Sequence, residues 1–330
     1  MPRSADLKNI NPQSRLPLVI VNPASASGAT GERWPGVASA LRTHFGAFSC
    51  AFTGRSGDGQ LIAAREARAG RRFIIACGGD GTISEVANGI LESGEDVELG
   101  VLPSGTGGDF RRTLRIPARA GDAALSLRRA VTRTMDVGRV TYINHEGSEE
   151  TRHFLNVASF GMGGAVVERV KEKSAPWLPA NTSKLLGGSA AFAVAALHTA
   201  LTFTKPIVAL RLDDKPEFRL QVTNLCVANA QYFGGGMHIA PQAKVNDGYF
   251  DVVAVGNLSA LLLLANSYRL YLGTHLGMQQ VHHACGTRLT ARPERGGTPA
   301  VRLEVDGELV GQLPATFDVV PTALRVRAPA

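Results

Sequence analysis

The 330-residue sequence is poor in aromatics, which make up 6% of it, and it carries only four cysteines, Cys50, Cys77, Cys226 and Cys285. The cysteines lie far apart, with no C-x-x-C pair and no histidine at zinc spacing. This excludes a disulfide-stapled miniature, and the thiols are expected to be buried in a reduced cytosol. The polar opening MPRSADLKNINPQSRLP has no apolar h-region, so no secretory signal is expected. Strongly apolar runs of about 20 residues, the length of a spanning helix, are missing as well. The nearest approach, Leu185–Thr204, carries no charge but includes Gly187, Gly188, Ser189, His198 and three threonines, and reads as a buried or interfacial helix. Neither G-x-x-x-x-G-K-[ST] nor a G-x-G-x-x-G opening a dinucleotide unit occurs. With no helix-turn-helix or RNA-binding signature, nucleic acid is not an expected partner despite the net charge of +7. The chain is expected to be soluble and cytoplasmic.

What is present is apolar material, glycine and arginine. A chain that is 44% hydrophobic and 19% charged can bury a sizeable core, and its length suggests two domains. The 37 glycines point to many tight backbone turns. The basic residues are overwhelmingly arginine, whose planar fork suits phosphate, although charge alone does not separate anionic membranes from phosphorylated small molecules.

Up to about residue 134 strands and helices alternate. LPLVIV reads as a short buried strand, FSCAFT, RFIIAC and ELGVLP as further strands, and Gly31–Phe45, Gly59–Ala69 and Thr82–Leu91 as helices between them. Such βα repetition predicts a parallel sheet with helices on both faces. From Met135 onward MDVGRVTYI, HFLNVASF, PIVALRLD, FRLQVTNLCVAN, YFDVVAVG, VRLEVD and ATFDVV follow one another with turns between, predicting an antiparallel β-sandwich. Two helices, Ser183–Phe203 and Ser259–Leu272, interrupt it. The expected division is 16–134 and 135–321, with the last strand, 322–328, free to return to the first domain.

The sharpest motif is Gly78-Gly79-Asp80-Gly81-Thr82 with Glu85, set between an apolar strand and a helix. Glycines let backbone N–H groups approach a phosphate, and the helix N-terminus favours its charge. Asp80 beside phosphates implies a bridging cation such as Mg²⁺; the same residues also read as a plain Asp-Gly turn. Pro103-Ser104-Gly105-Thr106-Gly107-Gly108-Asp109 follows the next strand, and Asn22-Pro23-Ala24-Ser25 follows the first. Three polar loops on the carboxyl edge of one sheet predict a phosphate cradle. Further on, Val245-Asn246-Asp247-Gly248-Tyr249 and Asp306-Gly307-Glu308 each read either as an acid-bearing site or as an ordinary hairpin turn.

In that order GGDGT, P-x-GT-x-x-DF, VNDGYFDV and DGE resemble the diacylglycerol kinase catalytic family. The resemblance runs over roughly residues 16–328 and is nearest to the bacterial soluble lipid kinases, which are similar to sphingosine and ceramide kinases and more distantly to NAD kinases. It implies an NAD kinase/diacylglycerol kinase-like fold with an ATP-binding α/β domain and a lipid-binding β-sandwich. It further implies ATP contacts from Asn22, Pro23, Ser25, Thr53, Gly78, Gly79, Asp80, Gly81, Thr82, Glu85, Gly105 and Thr106. Mg²⁺ would be held by Asp247 with the carbonyls of Lys244 and Tyr249, and Glu308 would accept the hydroxyl proton, with Asp306 as its rival. The lipid substrate implies peripheral contact with a membrane surface, and a homodimer is compatible with the pattern. The chain departs from the family at Gly108, where Asn is usual, and in the glycine and serine of Thr53-Gly54-Arg55-Ser56-Gly57-Asp58. Arg111, Arg112, Arg115, Arg119, Arg128, Arg129 and Arg133 form a basic run that is either a solvated face or an attraction for anionic headgroups. The alternatives are an NAD kinase-like enzyme and a non-catalytic nucleotide-binding regulator.

Overall fold

Short apolar runs that end in glycine or proline set the frame. A computed structural model describes residues 16–171, 198–199, 201–294 and 300–329, and the chain divides into two compact units, Met1–Val137 with Val320–Ala330, and Gly138–Val319.

In the first unit β1 (Leu18–Val21), β2 (Ser49–Phe52), β3 (Phe73–Gly78) and β4 (Glu98–Pro103) form a parallel sheet in the order β2-β1-β3-β4. The end of the last strand returns alongside β4, with Arg325 opposite Glu98. Five helices alternate with the strands: α1 (Ala29–Phe45), α2 (Asp58–Arg68), α3 (Asp80–Ser93), α4 (Asp109–Thr113) and α5 (Ala120–Arg129). Helix α1 packs with α5 and α2 with α3. Strands β1, β3 and β4 are buried almost end to end, which requires cover on both faces of the sheet. Val19, Ile20, Ile74 and Leu99 are wholly inaccessible, each contributing roughly 1.5–3 kcal/mol by its burial. Helix α3 begins at Asp80, two residues before the position that the sequence pattern predicts. The N–H groups of a first turn need no partner within the helix, so Asp-Gly is accommodated there.

The second unit is antiparallel. Its strands include β5 (Val131–Asn144, which enters from the first unit), β6 (Glu149–Phe154), β7 (Val157–Gly161), β8 (Ile207–Leu212), β9 (Phe218–Gln221) and β10 (Asn224–Ala228). They continue as β11 (Phe250–Val255), β12 (Val281–Gly286), β13 (Arg288–Pro293), β14 (Arg302–Val305) and β15 (Glu308–Ala328). One layer runs β12-β11-β10-β7-β14-β15, while β13 pairs with β15 and β8, β8 with β9, and β5 with β15 and β6. Phe154 stacks on Phe250 at 5.7 Å and Phe160 on Phe317 at 6.3 Å, within a core that also takes in Val140, Val208, Leu225, Leu289 and Leu303. Gly138 lies opposite Phe154, and a Cβ there would stand 2.1 Å from the ring, so glycine makes room for it.

Several sequence expectations change. HFLNVASF is two strands, not one, because Leu155 and Asn156 turn their N–H groups to the Asp306 carboxylate. FRLQVTNLCVAN is likewise divided between β9 and β10. Strands β12 and β13 went unanticipated in a stretch interrupted by histidines and arginines. Ser259–Leu272 is two short helices, Ala260–Ala265 and Ser267–Leu272, separated at Asn266. Most of Ser183–Phe203 lies outside the described residues. Among the described residues no helix is long and apolar enough to cross a membrane. The cysteine expectation holds for Cys77 and Cys226 only; Cys50 and Cys285 are exposed.

Candidate active site

The loops at the carboxyl ends of β1, β3 and β4 converge. Asn22 Nδ2 donates to Thr82 Oγ1 at 3.0 Å, tying the first loop to the buried start of α3. Thr30 Oγ1 donates to Ser104 Oγ at 2.7 Å, tying it to the third. The Ser104 N–H donates to the Gly78 carbonyl at 2.8 Å. The tightest approach is glycine on glycine: a Cβ on Gly105 would stand 2.4 Å from Gly79 Cα, and one on Gly79 would meet Ser25 Oγ at 3.3 Å. Side chains are thereby kept out, leaving backbone and small hydroxyls around Gly79, Ser25 and Gly105. Thr106 is exposed beside them, Gly81 is half-buried in the first turn of α3, and Pro23 packs where a Cβ on Gly31 would touch it at 3.3 Å.

Asp80 faces backbone N–H groups of a neighbouring loop. Its Oδ2 accepts from the Gly108 N–H at 2.7 Å and its Oδ1 from the Phe110 N–H at 3.1 Å, so both oxygens clamp the β3 loop to the β4 loop. An acid stands in this glycine-rich place because backbone N–H groups neutralise it. Gly108 has φ +68°, a left-handed conformation that Gly adopts freely and Asn more readily than other side chains. Glu85 serves the loop after β2 in the same way, accepting from the N–H groups of Gly57 at 2.8 Å and Gly59 at 3.0 Å. Asp58 takes the N–H groups of Gly54 and Arg55 at 2.8 and 3.0 Å, and these bonds hold its carboxyl below the usual carboxylate range. Thr53 is buried, its N–H bonded to the Val21 carbonyl at 2.9 Å.

In the second unit Asp306 and Gly307 form a tight hairpin between β14 and β15, with φ +48° and +86°. The Asp306 carboxylate accepts from the N–H groups of Leu155 and Asn156, each at 2.9 Å, and of Val157 at 3.3 Å. It fixes the gap between β6 and β7. Glu308 opens β15 and keeps a 37% exposed side chain, paired with Arg152 Nη2 at 2.8 Å. Burial opposes the charge on Arg152, but the Glu308 carboxylate outweighs it and raises the guanidinium's pKa. Nothing in the sequence marked Arg152, which sits in a polar strand.

Asp247 is exposed and makes no ion pair among the described residues; its Oδ1 accepts the Tyr249 N–H at 3.1 Å, with Gly248 between them at φ +79°. Lys244 and Tyr249 are exposed on the same loop. Its donors toward a cation would be oxygens alone, a set that suits a hard ion such as Mg²⁺.

Comparison with known proteins covers both units. Residues 17–140 match the diacylglycerol kinase catalytic domain, and residues 174–328 match the YegS C-terminal NAD kinase beta sandwich-like domain. A Pseudomonas aeruginosa protein named "Probable lipid kinase YegS-like" is 31% identical over 289 residues, covering 84% of this chain and 83% of that one. The chain belongs to the diacylglycerol kinase-like family of lipid kinases. Within this family, a diacylglycerol kinase of Mycobacterium tuberculosis is 28% identical over 313 residues, 94% of each chain. The fold of this lipid kinase relative is also that of a diacylglycerol kinase crystal structure from Bacillus anthracis, with a TM-score of 0.69 at 20% identity over 95% of this chain and 97% of that one.

Proposed function

We propose that this lipid kinase relative transfers the γ-phosphoryl group of ATP to the hydroxyl of a membrane lipid of the diacylglycerol or sphingosine type. The observation that carries the reading is the close meeting of Gly79, Gly105 and Ser25, where larger side chains are sterically excluded. Phosphoryl transfer is mostly positioning and charge stabilisation, and a glycine cradle supplies donors at little steric cost. Asn22, Pro23, Ser25, Thr53, Gly78 to Thr82, Gly105 and Thr106 line or brace the ATP phosphates. Asp80 and Glu85 act through the loops that they clamp.

Glu308 is the base that takes the lipid hydroxyl's proton. Asp306 is unsuited to that part, since its oxygens already accept three backbone N–H groups. Arg152 orients the Glu308 carboxylate. Asp247 and the carbonyls of Lys244 and Tyr249 hold Mg²⁺, which supplies charge neutralisation when bound. Because the substrate lies in a bilayer, the protein touches a membrane surface, and the exposed arginines 115, 119, 128, 129 and 133 favour anionic headgroups.

The test is a thin-layer assay with γ-labelled ATP against diacylglycerol, sphingosine, ceramide and NAD. Label appearing in a lipid phosphate supports the reading. Label in NAD alone, or in no acceptor while ATP binds, overturns it.

A further inference from the structure

Strand β11, which follows the Asp247 turn directly, and strand β12 bring together three side chains of different chemistry. Asp251 on β11 lies directly opposite Cys285 on β12, and His283 lies two residues along from Cys285. Side chains two apart on a strand share a face, so all three project to the same side of the ladder. Asp251 is 5% exposed. His283 Nε2 stands 2.6 Å from Asp251 Oδ1, and Cys285 Sγ stands 4.0 Å from His283 Nε2. One donor atom from each residue lies within 4.8 Å of the other two.

We propose that Asp251, His283 and Cys285 form a binding site for a thiophilic divalent metal of the zinc class. A thiol, an imidazole and a carboxylate are three of the donor types that zinc takes, and three protein ligands leave a fourth position open. The exposed thiol places that open side toward solvent, while the carboxylate anchors the inner side. Strand-borne ligands are held by the ladder itself: the residue pairs Asp251–Cys285 and Val253–His283 are fixed by register. On binding, the thiol yields its proton to solvent, the imidazole nitrogen sheds or turns away its hydrogen, and three metal–ligand bonds form without oxidation or reduction. The set differs in kind from the oxygen-only turn at Asp247, so a hard ion does not compete well for it. Strand β12 is the terminal strand of its layer, and the metal pins it to β11.

The full chain, purified metal-free and under reducing conditions, is dialysed against Zn²⁺ with millimolar Mg²⁺ present, and bound metal is measured. One equivalent is expected in the parent protein and in Cys50→Ser, the control at the other exposed cysteine, and essentially none in Cys285→Ser. Co²⁺ used as the probe is expected to give a thiolate-to-cobalt charge-transfer band that Cys285→Ser abolishes. Zinc is also expected to raise the melting temperature of the parent protein and to leave that of Cys285→Ser unmoved, as binding to the folded state requires. Asp251→Asn and His283→Gln are expected to lose the equivalent as well; should either fail to fold by circular dichroism, Cys285→Ser at its exposed position decides. No uptake by the parent protein, or equal uptake by Cys285→Ser, overturns the proposal.

Discussion

The acids of the two units are used differently. In the first unit Asp80, Glu85 and Asp58 each direct oxygens to backbone N–H groups of neighbouring loops, so the motif that looks richest in charge is a set of braces. In the second unit Asp306 and Asp213 behave that way, Asp213 accepting from the N–H groups of Thr287 and Arg288. Glu308 instead keeps an exposed carboxylate paired with Arg152, and the exposed Asp247 takes a single backbone N–H, from Tyr249. A glycine-flanked acid is therefore a brace where it gathers several backbone N–H groups, whereas Asp247 gathers one and Glu308 pairs with a side chain.

Glu308→Gln tests that division most severely. The amide keeps size and some hydrogen bonding but not basicity, so turnover should fall by about 10²–10⁴-fold with ATP affinity close to that of the parent. Turnover retained in Glu308→Gln but abolished in a folded Asp306→Asn would reverse the two roles. Asp247→Asn should come next, with a loss of roughly 10-fold or more that rising Mg²⁺ partly restores, as for a weakened metal site. Activity that ignores Mg²⁺ in this variant would count against the ion at that turn.

Asp80→Ala and Asp306→Ala should resemble each other although they sit in different units. Each strands backbone N–H groups that a carboxylate had paired, at a cost of about 1–3 kcal/mol. Both should melt at lower temperature, and the lost activity of Asp80→Ala should not return with added Mg²⁺. Recovery with Mg²⁺ would mean that Asp80 meets a cation after all.

Much of this was legible in the sequence. Apolar runs ending in glycine or proline located β1, β3 and β4, because a buried parallel strand has nowhere to hide a polar residue. The order of motifs located the loops. The partners of the acids were not legible: Asp80 reaches Phe110 and Asp306 reaches Leu155 across long stretches of chain, and no local pattern announces a carboxylate that accepts from a distant turn. The strand through Val281–Gly286 escaped for a related reason. His283 and Cys285 alternate on the face that also carries Asp251, so the usual apolar alternation is absent where the cluster forms.

The smallest expected effect concerns Asp58, and it probes whether a brace must be charged. The Gly54 and Arg55 N–H groups lower its pKa, so its ionised form stabilises the fold at pH values above the unfolded-chain pKa of about 3.9. That contribution is lost as pH falls through the lower, folded-state value. Asp58→Asn retains an oxygen that can accept both N–H groups but carries no charge. Its melting temperature should therefore lie slightly below that of the parent near neutrality, and the gap should close on acidification. Because the site is open to solvent, salt should narrow the same gap by screening the neighbouring Arg55. A gap that stayed constant from neutral to acidic pH would show that the side-chain oxygen, not its charge, is what holds the loop, and the distinction between braces and chemical acids would then rest on geometry alone.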